Sequence, residues 1–183
     1  IGSFDKKEYD KHNMHDKRIK FELSIEQNKI LKEVLKNSKD FRVHLLQGTT
    51  GSGKTIVYFN AIEDKLNKGL QALILLPEIG LTVEFEKKFK EYFGFDAAVW
   101  HSGITPKGKK IIWSGLAAGK IKVVIGARSS LFLPFKKLGV IIVDEEHDQS
   151  YKQDEGVTYN ARDMAIARAS FESVPINLVT AVP

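Results

Sequence analysis

The sequence predicts an α/β domain, an open, parallel, doubly wound sheet with helices on both faces. Three observations carry that expectation. Short apolar runs alternate with helical patterns along the chain, as repeated βα units require. One strand–loop–helix unit contains Gly48-Thr49-Thr50-Gly51-Ser52-Gly53-Lys54-Thr55, which fits the phosphate-cradling pattern G-x-x-x-x-G-K-[ST]. Val140-Ile141-Ile142-Val143 then runs directly into Asp144-Glu145-Glu146-His147. That places acids at the C-terminal end of a buried strand, where open parallel sheets bind ligands.

Taken in order, residues 4–20 are charged and lack apolar periodicity, and residues 1–20 read as an arm or linker leading into the domain. Ser24 opens a helix through about Lys36, with Ile30, Leu31, Val34 and Leu35 on one face. A strand at 43–47 feeds the Gly-rich loop. A helix from Lys54 to about Asn67 stops at Gly69. Leu73 to Leu76 is a continuous apolar run ended by Pro77, as in a strand buried on both faces. A helix from about Val83 to Tyr92 precedes a short strand, Ala97 to Trp100. A helix over 107–118 ends at Gly119, and Lys122 to Ile125 forms the next strand. Val140 to Val143, a helix near 161–171 and a strand from Ile176 to Val179 complete the run. Short βα connections predict right-handed crossovers.

Composition bounds the function. With 183 residues and 43% hydrophobic content, one domain with a proper core is expected. No apolar run of about 18 residues predicts a membrane span, and the first residues are not an apolar signal segment. The absence of Cys excludes disulfides and cysteine–zinc sites within the chain. The chain opens on Ile1-Gly2-Ser3 rather than Met, which suggests a fragment whose first residues remain from cloning.

Charge is unevenly placed. Residues 101–143 hold Lys107, Lys109, Lys110, Lys120, Lys122, Arg128, Lys136 and Lys137 and no Asp or Glu. The chain's net charge is +5, so this stretch's +8 leaves the remainder at −3. A one-signed block of that length predicts a surface facing a polyanion, nucleic acid above all.

The motifs predict nucleoside-triphosphate chemistry. Backbone N–H groups of a Gly-rich loop, at a helix N-terminus, bind phosphate, while Lys54 reaches the β/γ oxygens and Thr55 holds Mg²⁺. Thr82 is placed to cap the helix after Pro77-Glu78-Ile79-Gly80-Leu81, and Ser24 with Gln27 fits a capping box. Arg128 with Ser129 follows a strand, where it can hold a backbone phosphate or serve in an ion pair. His101-Ser102-Gly103 reads as a turn histidine.

From about Leu23 to Pro183 the chain resembles the primosomal replication-restart helicases, a family of superfamily 2 DNA helicases. The resemblance rests on Gly51-Ser52-Gly53-Lys54-Thr55, Pro77-Glu78-Ile79-Gly80-Leu81-Thr82, His101-Ser102-Gly103, Arg128-Ser129 with Leu131-Phe132, and Asp144-Glu145-Glu146-His147-Asp148. Its most specific part is Ser150-Tyr151-Lys152-Gln153 with Glu155-Gly156, Tyr159, Ala161, Arg162 and Asp163.

The resemblance implies that residues 21–183 are a RecA-like phosphate-loop ATPase domain, the first motor lobe of an ATP-dependent DNA helicase that unwinds DNA at stalled forks. It implies ATP and Mg²⁺ as cofactors, with Gly48, Thr50, Gly51, Ser52, Gly53, Lys54 and Thr55 around the phosphates. Thr55 and Asp144 would hold Mg²⁺, Glu145 would act as general base on the attacking water, and His147 would couple hydrolysis to a partner lobe. Gln27 would read the adenine edge, in competition with its capping use. Pro77, Glu78, Thr82, Arg128 and Ser129 would contact DNA. The implied partners are forked and single-stranded DNA, replication-restart primosome proteins and single-strand-binding protein, in the bacterial cytoplasm and without a membrane. Zinc, a second lobe with arginine fingers and further DNA-binding domains are implied only outside this chain. Two features depart from the family pattern. Val157-Thr158-Tyr159-Asn160 lacks an expected Trp, and Thr180-Ala181-Val182 replaces Ser-Ala-Thr. A different superfamily 2 repair or restriction translocase, or a nucleotide-sensing phosphate-loop module, is the alternative reading.

Overall fold

The computed structural model describes residues 21–36, 38–153 and 159–181. The expected arm at 1–20, the positions Glu155, Gly156, Val157 and Thr158, and Val182–Pro183 lie outside the described residues.

The described residues form five α-helices, a six-stranded sheet and a small two-stranded one. The helices are α1 (Ile25–Lys36), α2 (Lys54–Asn67), α3 (Val83–Phe93), α4 (Pro106–Ala117) and α5 (Ala161–Glu172). The strands are β1 (Arg42–Gln47), β2 (Gln71–Leu75), β3 (Ala98–Trp100), β4 (Val123–Gly126), β5 (Leu138–Val143), β6 (Lys152–Gln153), β7 (Tyr159–Asn160) and β8 (Pro175–Thr180). All but β6 and β7 form one parallel sheet in the order β1-β8-β5-β2-β4-β3. The small β6–β7 pair is antiparallel and was not expected from the sequence, nor were the 3-10 turns Glu78–Gly80 and Arg128–Phe132.

Two hydrophobic cores sandwich the sheet, one beneath α4 and α5 and one beneath α1, α2 and α3. Every residue of β2, β4, β5 and β8 is buried, as continuous Val/Ile/Leu runs in a two-sided parallel sheet demand. In α1 the expected apolar face is partly realised: Val34 is buried, but Ile30 stays exposed. The caps follow local chemistry. Thr82 Oγ1 accepts from Phe85 N at 3.2 Å, Thr105 Oγ1 from Gly108 N at 3.1 Å, and Asn160 Oδ1 from Arg162 N at 2.9 Å. One helix is left uncapped by any side chain. α2 starts from Gly53 in the left-handed region, φ 79°, so its first N–H groups are open to an anion.

The charged block at 101–143 does not form a single surface. Lys122 precedes β4, and Lys136 and Lys137 precede β5, so they sit at the N-terminal edge of the sheet. Arg128 follows β4 at the C-terminal edge. The sequence expectation of one continuous DNA-facing stretch is corrected accordingly.

Candidate nucleotide and nucleic-acid site

The phosphate-loop residues gather at the C-terminal edge of β1, and the acidic turn extends from β5 two strands away. Gly51 and Gly53 have φ of 80° and 79°, which side-chain-bearing residues rarely adopt. A Cβ at Gly53 would meet only the Gln27 side-chain amide, so the positive φ rather than packing is what calls for glycine there. Lys54 Nζ curls back over the loop, donating to the carbonyls of Gly48 at 2.5 Å and Thr49 at 2.8 Å. Ser52 N donates to Thr49 O at 3.1 Å; the N–H groups of Gly51 and Gly53, a lysine ammonium and an uncapped helix end together fit a nucleotide phosphate.

Asp144 is the node that joins this loop to the acidic turn. Its Oδ2 accepts from the Tyr58 hydroxyl at 2.8 Å and its Oδ1 from Glu145 N at 2.9 Å. Tyr58 is fully buried on α2, one turn beyond Lys54 and Thr55, and its hydroxyl also interacts with Thr55. Burial pushes the Asp144 carboxyl above its usual range; the Tyr58 bond, the Glu145 N–H and the charge of Lys54 act the other way. Burial, then the neighbouring Asp144 charge, pushes the Tyr58 hydroxyl well up, so it stays a proton donor at any working pH. Thr55 and Asp144 therefore have the oxygen chemistry and the shared partner to hold a hard divalent cation such as Mg²⁺. Among the described residues no cluster of three or more His, Cys, Asp or Glu side chains stands ready for a metal without such a ligand set.

The rest of the acidic turn is held by specific contacts. Glu145 adopts φ 49°, a left-handed conformation that is unfavourable for a non-Gly residue and that clusters at functional sites. Asp144 N donates to Leu75 O at 3.0 Å and Glu146 N to Val179 O at 2.9 Å, which ties the turn to β2 and β8. Glu146 pairs with Arg162 at 3.1 Å, which accounts for a charge otherwise costly beside four buried aliphatics. His147 Nδ1 lies 2.8 Å from Thr180 Oγ1, and its Nε2 lies 3.5 Å from Glu145 Oε2. The acidic turn thus touches Thr180 of the Thr180-Ala181-Val182 string directly. Tyr151, buried, places its hydroxyl 2.5 Å from Asp144 O and 3.1 Å from Leu75 O, where its single proton is shared between two carbonyls.

Other expected site residues are placed with mixed roles. Gln27 makes the capping box, its Oε1 accepting from Ser24 N at 2.9 Å while Ser24 Oγ accepts from Gln27 N at 3.1 Å. Its Nε2 donates to Ser52 O at 2.9 Å, so one side chain both caps α1 and ties it to the phosphate loop. Pro77 is buried and shapes the turn, while Glu78 and Thr82 are exposed at the edge. Arg128 is half-buried, with no carboxylate partner among the described residues; its Nη1 donates to Lys152 O at 2.6 Å, which joins it to β6. Ser129 Oγ accepts from Trp100 Nε1 at 3.0 Å. His101 Nδ1 accepts from Gly103 N at 3.0 Å. Sequence reasoning missed Tyr58; Tyr151 and Arg162 it names as part of the most specific motif, but without these contacts. For Tyr58 a signal was present: it sits four residues after Lys54 and three after Thr55, on their helix face.

Residues 24–183 match the family model described as DEAD/DEAH box helicase. Replication restart protein PriA of Rickettsia felis is 55% identical over 139 residues, 76% of this chain and 22% of that protein. Replication restart protein PriA of Bacillus subtilis is 46% identical over 147 residues, 80% of this chain and 18% of that protein. Among solved structures, RecG bound to a three-way DNA junction is 30% identical with TM-score 0.68, covering 89% of this chain and 21% of that one. The chain spans about a fifth of the length of these relatives.

Proposed function

Since the chain belongs to the DEAD/DEAH box helicase family, we propose that it is the first, nucleotide-binding motor lobe of an ATP-driven DNA helicase acting in replication restart. The observation that carries the reading is the Tyr58–Asp144 hydrogen bond, which makes the phosphate loop and the acidic turn one site. Identities of 46–55% to replication restart proteins favour this branch over other superfamily 2 translocases and over a nucleotide-sensing module.

In this reading the N–H groups of Gly51, Ser52 and Gly53 receive phosphate oxygens, and Lys54 leaves its loop carbonyls to neutralise them. Bound Mg²⁺ supplies charge neutralisation between the phosphates; Thr55 and Asp144 are the residues that would hold it, with Tyr58 fixing the Asp144 carboxylate. Glu145, exposed enough to reach water, orients and deprotonates the nucleophile. His147 then reports the state of the turn to Thr180. Gln27 Nε2 exchanges Ser52 O for the adenine edge when nucleotide enters, while its Oε1 goes on capping α1. Arg128, Ser129, Glu78 and Thr82 face the DNA backbone at the same edge. Forked and single-stranded DNA, primosome proteins and single-strand-binding protein are the partners we assign, in the bacterial cytoplasm; among the described residues no helix is long and apolar enough to cross a membrane.

Hydrolysis by the chain alone should be slow. Arg128, Arg162 and Arg168, the arginines after the phosphate loop, are bound to Lys152 O, to Glu146 with Asp163, and to Leu131 O with Glu172. None is set to reach a γ-phosphate, and an arginine finger is worth roughly 10³–10⁵ in rate in GTPase systems. Calorimetric titration with ADP and Mg²⁺ tests the core assignment: the wild type should bind and Lys54→Ala should not. Equal binding by both would sink it.

A further inference from the structure

Opposite the nucleotide edge, Gly69, Gln71, Gly119, Lys122, Lys136 and Lys137 line a cavity of about 160 Å³, with room for a phosphate group. It lies where the chain enters β2, β4 and β5, three neighbouring strands, so three separate loops meet there. Gln71 holds those loops together. It is 1% exposed; its Nε2 donates to Ile121 O at 2.7 Å and Leu116 O at 3.2 Å, and its Oε1 accepts from Lys137 N at 2.8 Å. The stem of Lys136 crosses Gly119, whose hypothetical Cβ would lie 3.2 Å from Lys136 Cδ, and Gly119 itself has φ 72°. The concavity is therefore built by buried hydrogen bonds and close packing, and its lysines are carried on a fixed frame.

Its charges are uncompensated. Lys122, Lys136 and Lys137 make no ion pair among the described residues, and Lys120 lies exposed on the same turn. Three acids toward this end of the sheet are engaged elsewhere: Asp64 with Lys68 at 2.6 Å, Asp96 with Lys90 at 2.9 Å, Glu172 with Arg168 at 3.4 Å. Like charges gathered around one concavity repel each other, and an anion relieves that cost. The lining holds no large apolar side chain, so an acidic peptide would find ammonium groups and no pocket for its neighbouring side chains. A phosphate backbone needs only the charges.

We propose that this edge is a second phosphate site that takes the sugar–phosphate backbone of a DNA strand, separate from the motif-lined edge. The inference rests on the DNA-motor reading above. At roughly 3.3 Å per residue, strands of five or six residues separate the two edges by about 15–20 Å, so one stretch of backbone lying across the motif loops does not fill both. A forked substrate supplies the second strand.

The test is fluorescence anisotropy of a labelled forked oligonucleotide with this chain at several salt concentrations. The variant Lys122→Gln/Lys136→Gln/Lys137→Gln should bind more weakly and flatten the slope of log K against log[salt] by roughly 2–3, about 0.9 per lost phosphate contact on duplex DNA. Its ADP affinity, read by calorimetry, should match wild type. A charge-matched control on exposed α1 residues, Lys29→Gln/Lys32→Gln/Lys36→Gln, should leave the slope much closer to wild type. If the triple variant folds poorly, Lys136→Gln and Lys137→Gln singly should each flatten the slope by about one. An unchanged slope, or an equal change in the α1 control, overturns the site. Preferential displacement of the DNA by a glutamate-rich peptide would reassign it to an acidic protein partner and overturn the DNA claim. Displacement by inorganic phosphate at low millimolar concentration would reduce it to a simple anion pocket and overturn that claim as well. Wild type that binds ADP but no DNA would strike the motor reading itself, whereas wild-type DNA binding with an unaltered slope strikes only this site.

Discussion

Tyr58→Phe removes one oxygen and keeps the ring, which sits fully buried at 5.3 Å and 84° to Phe59. What it deletes is the donor to Asp144 Oδ2 at 2.8 Å; the Glu145 N–H on the other oxygen remains. A hydrogen bond to a charged group contributes about 1.5–3 kcal/mol, and each 1.4 kcal/mol is tenfold in affinity. If that bond fixes the carboxylate for Mg²⁺, the variant should bind Mg²⁺–ADP roughly ten- to hundredfold more weakly. Partners that orient metal-binding side chains have effects of that size elsewhere. The assay is calorimetric titration with ADP in Mg²⁺ and again in EDTA. Metal-free affinity should be nearly unchanged, because the loop and Lys54 are untouched. Equal loss in both buffers, or no loss in either, would refute the orienting role. Thermal melting gives a second readout. The tyrosine bond favours the charged carboxylate, so its contribution is present above the Asp144 pKa and lost as pH falls through it. The melting deficit of the variant should therefore shrink as pH is lowered into the range where Asp144 takes up its proton. A penalty of about 1–2 kcal/mol corresponds to roughly 2–8 °C for a domain of this size.

Three further expectations use other contacts. Arg162→Met leaves the 15%-exposed Glu146 side chain without its guanidinium, and should destabilise the chain by about 1–2 kcal/mol in urea melts, less than a fully buried pair would lose because Arg162 is 40% exposed; adding Glu146→Gln should recover part of it, and simple additivity would refute the pairing. Burial holds the Lys65 ammonium below its ordinary lysine range while it donates to Ser38 O. The folded pKa lies under the unfolded one, so stability should rise between them and level off near the unfolded value of about 10.4; wild type should gain on Lys65→Met as pH is raised, and a constant gap in melting temperature would contradict this. Gln27→Glu keeps an acceptor for Ser24 N and so should preserve α1, yet it removes the donor proposed to read adenine. Its ADP-over-GDP preference should collapse with little change in melting, and retained preference would assign Gln27 to capping alone.

The parts of this fold that could be read beforehand are those written in contiguous residues. α2 spans Lys54–Asn67 as expected because Gly53 and Gly69 bound it and a 3.6-residue apolar pattern fills it. The phosphate loop and Asp144-Glu145-Glu146-His147 are single strings whose chemistry follows from their order. The hairpin Lys152–Gln153 with Tyr159–Asn160 was not legible, since two-residue strands carry no alternation. The two 3-10 turns after β2 and β4 are too short to show a period. The contacts of Tyr58, Tyr151 and Arg162 were not legible for another reason. Their partners lie 86, 7 and 16 residues away, and side-chain chemistry alone does not say which carboxylate or carbonyl the fold delivers.

The lysine block shows how sequence proximity can mislead in a parallel sheet. Each βα unit carries the chain across the sheet and back, so residues flanking one strand lie at opposite edges. Lys122 and Arg128 are six positions apart, yet β4 lies between them and only Arg128 shares the edge of the phosphate loop. Lys122 and Lys136, fourteen positions apart, lead into β4 and β5, the two strands that flank β2, and line one cavity. A run of one charge sign that spans two parallel strands must therefore supply both edges. Its positive potential is divided between two faces, and any single polyanion track read from the run overstates the charge it meets.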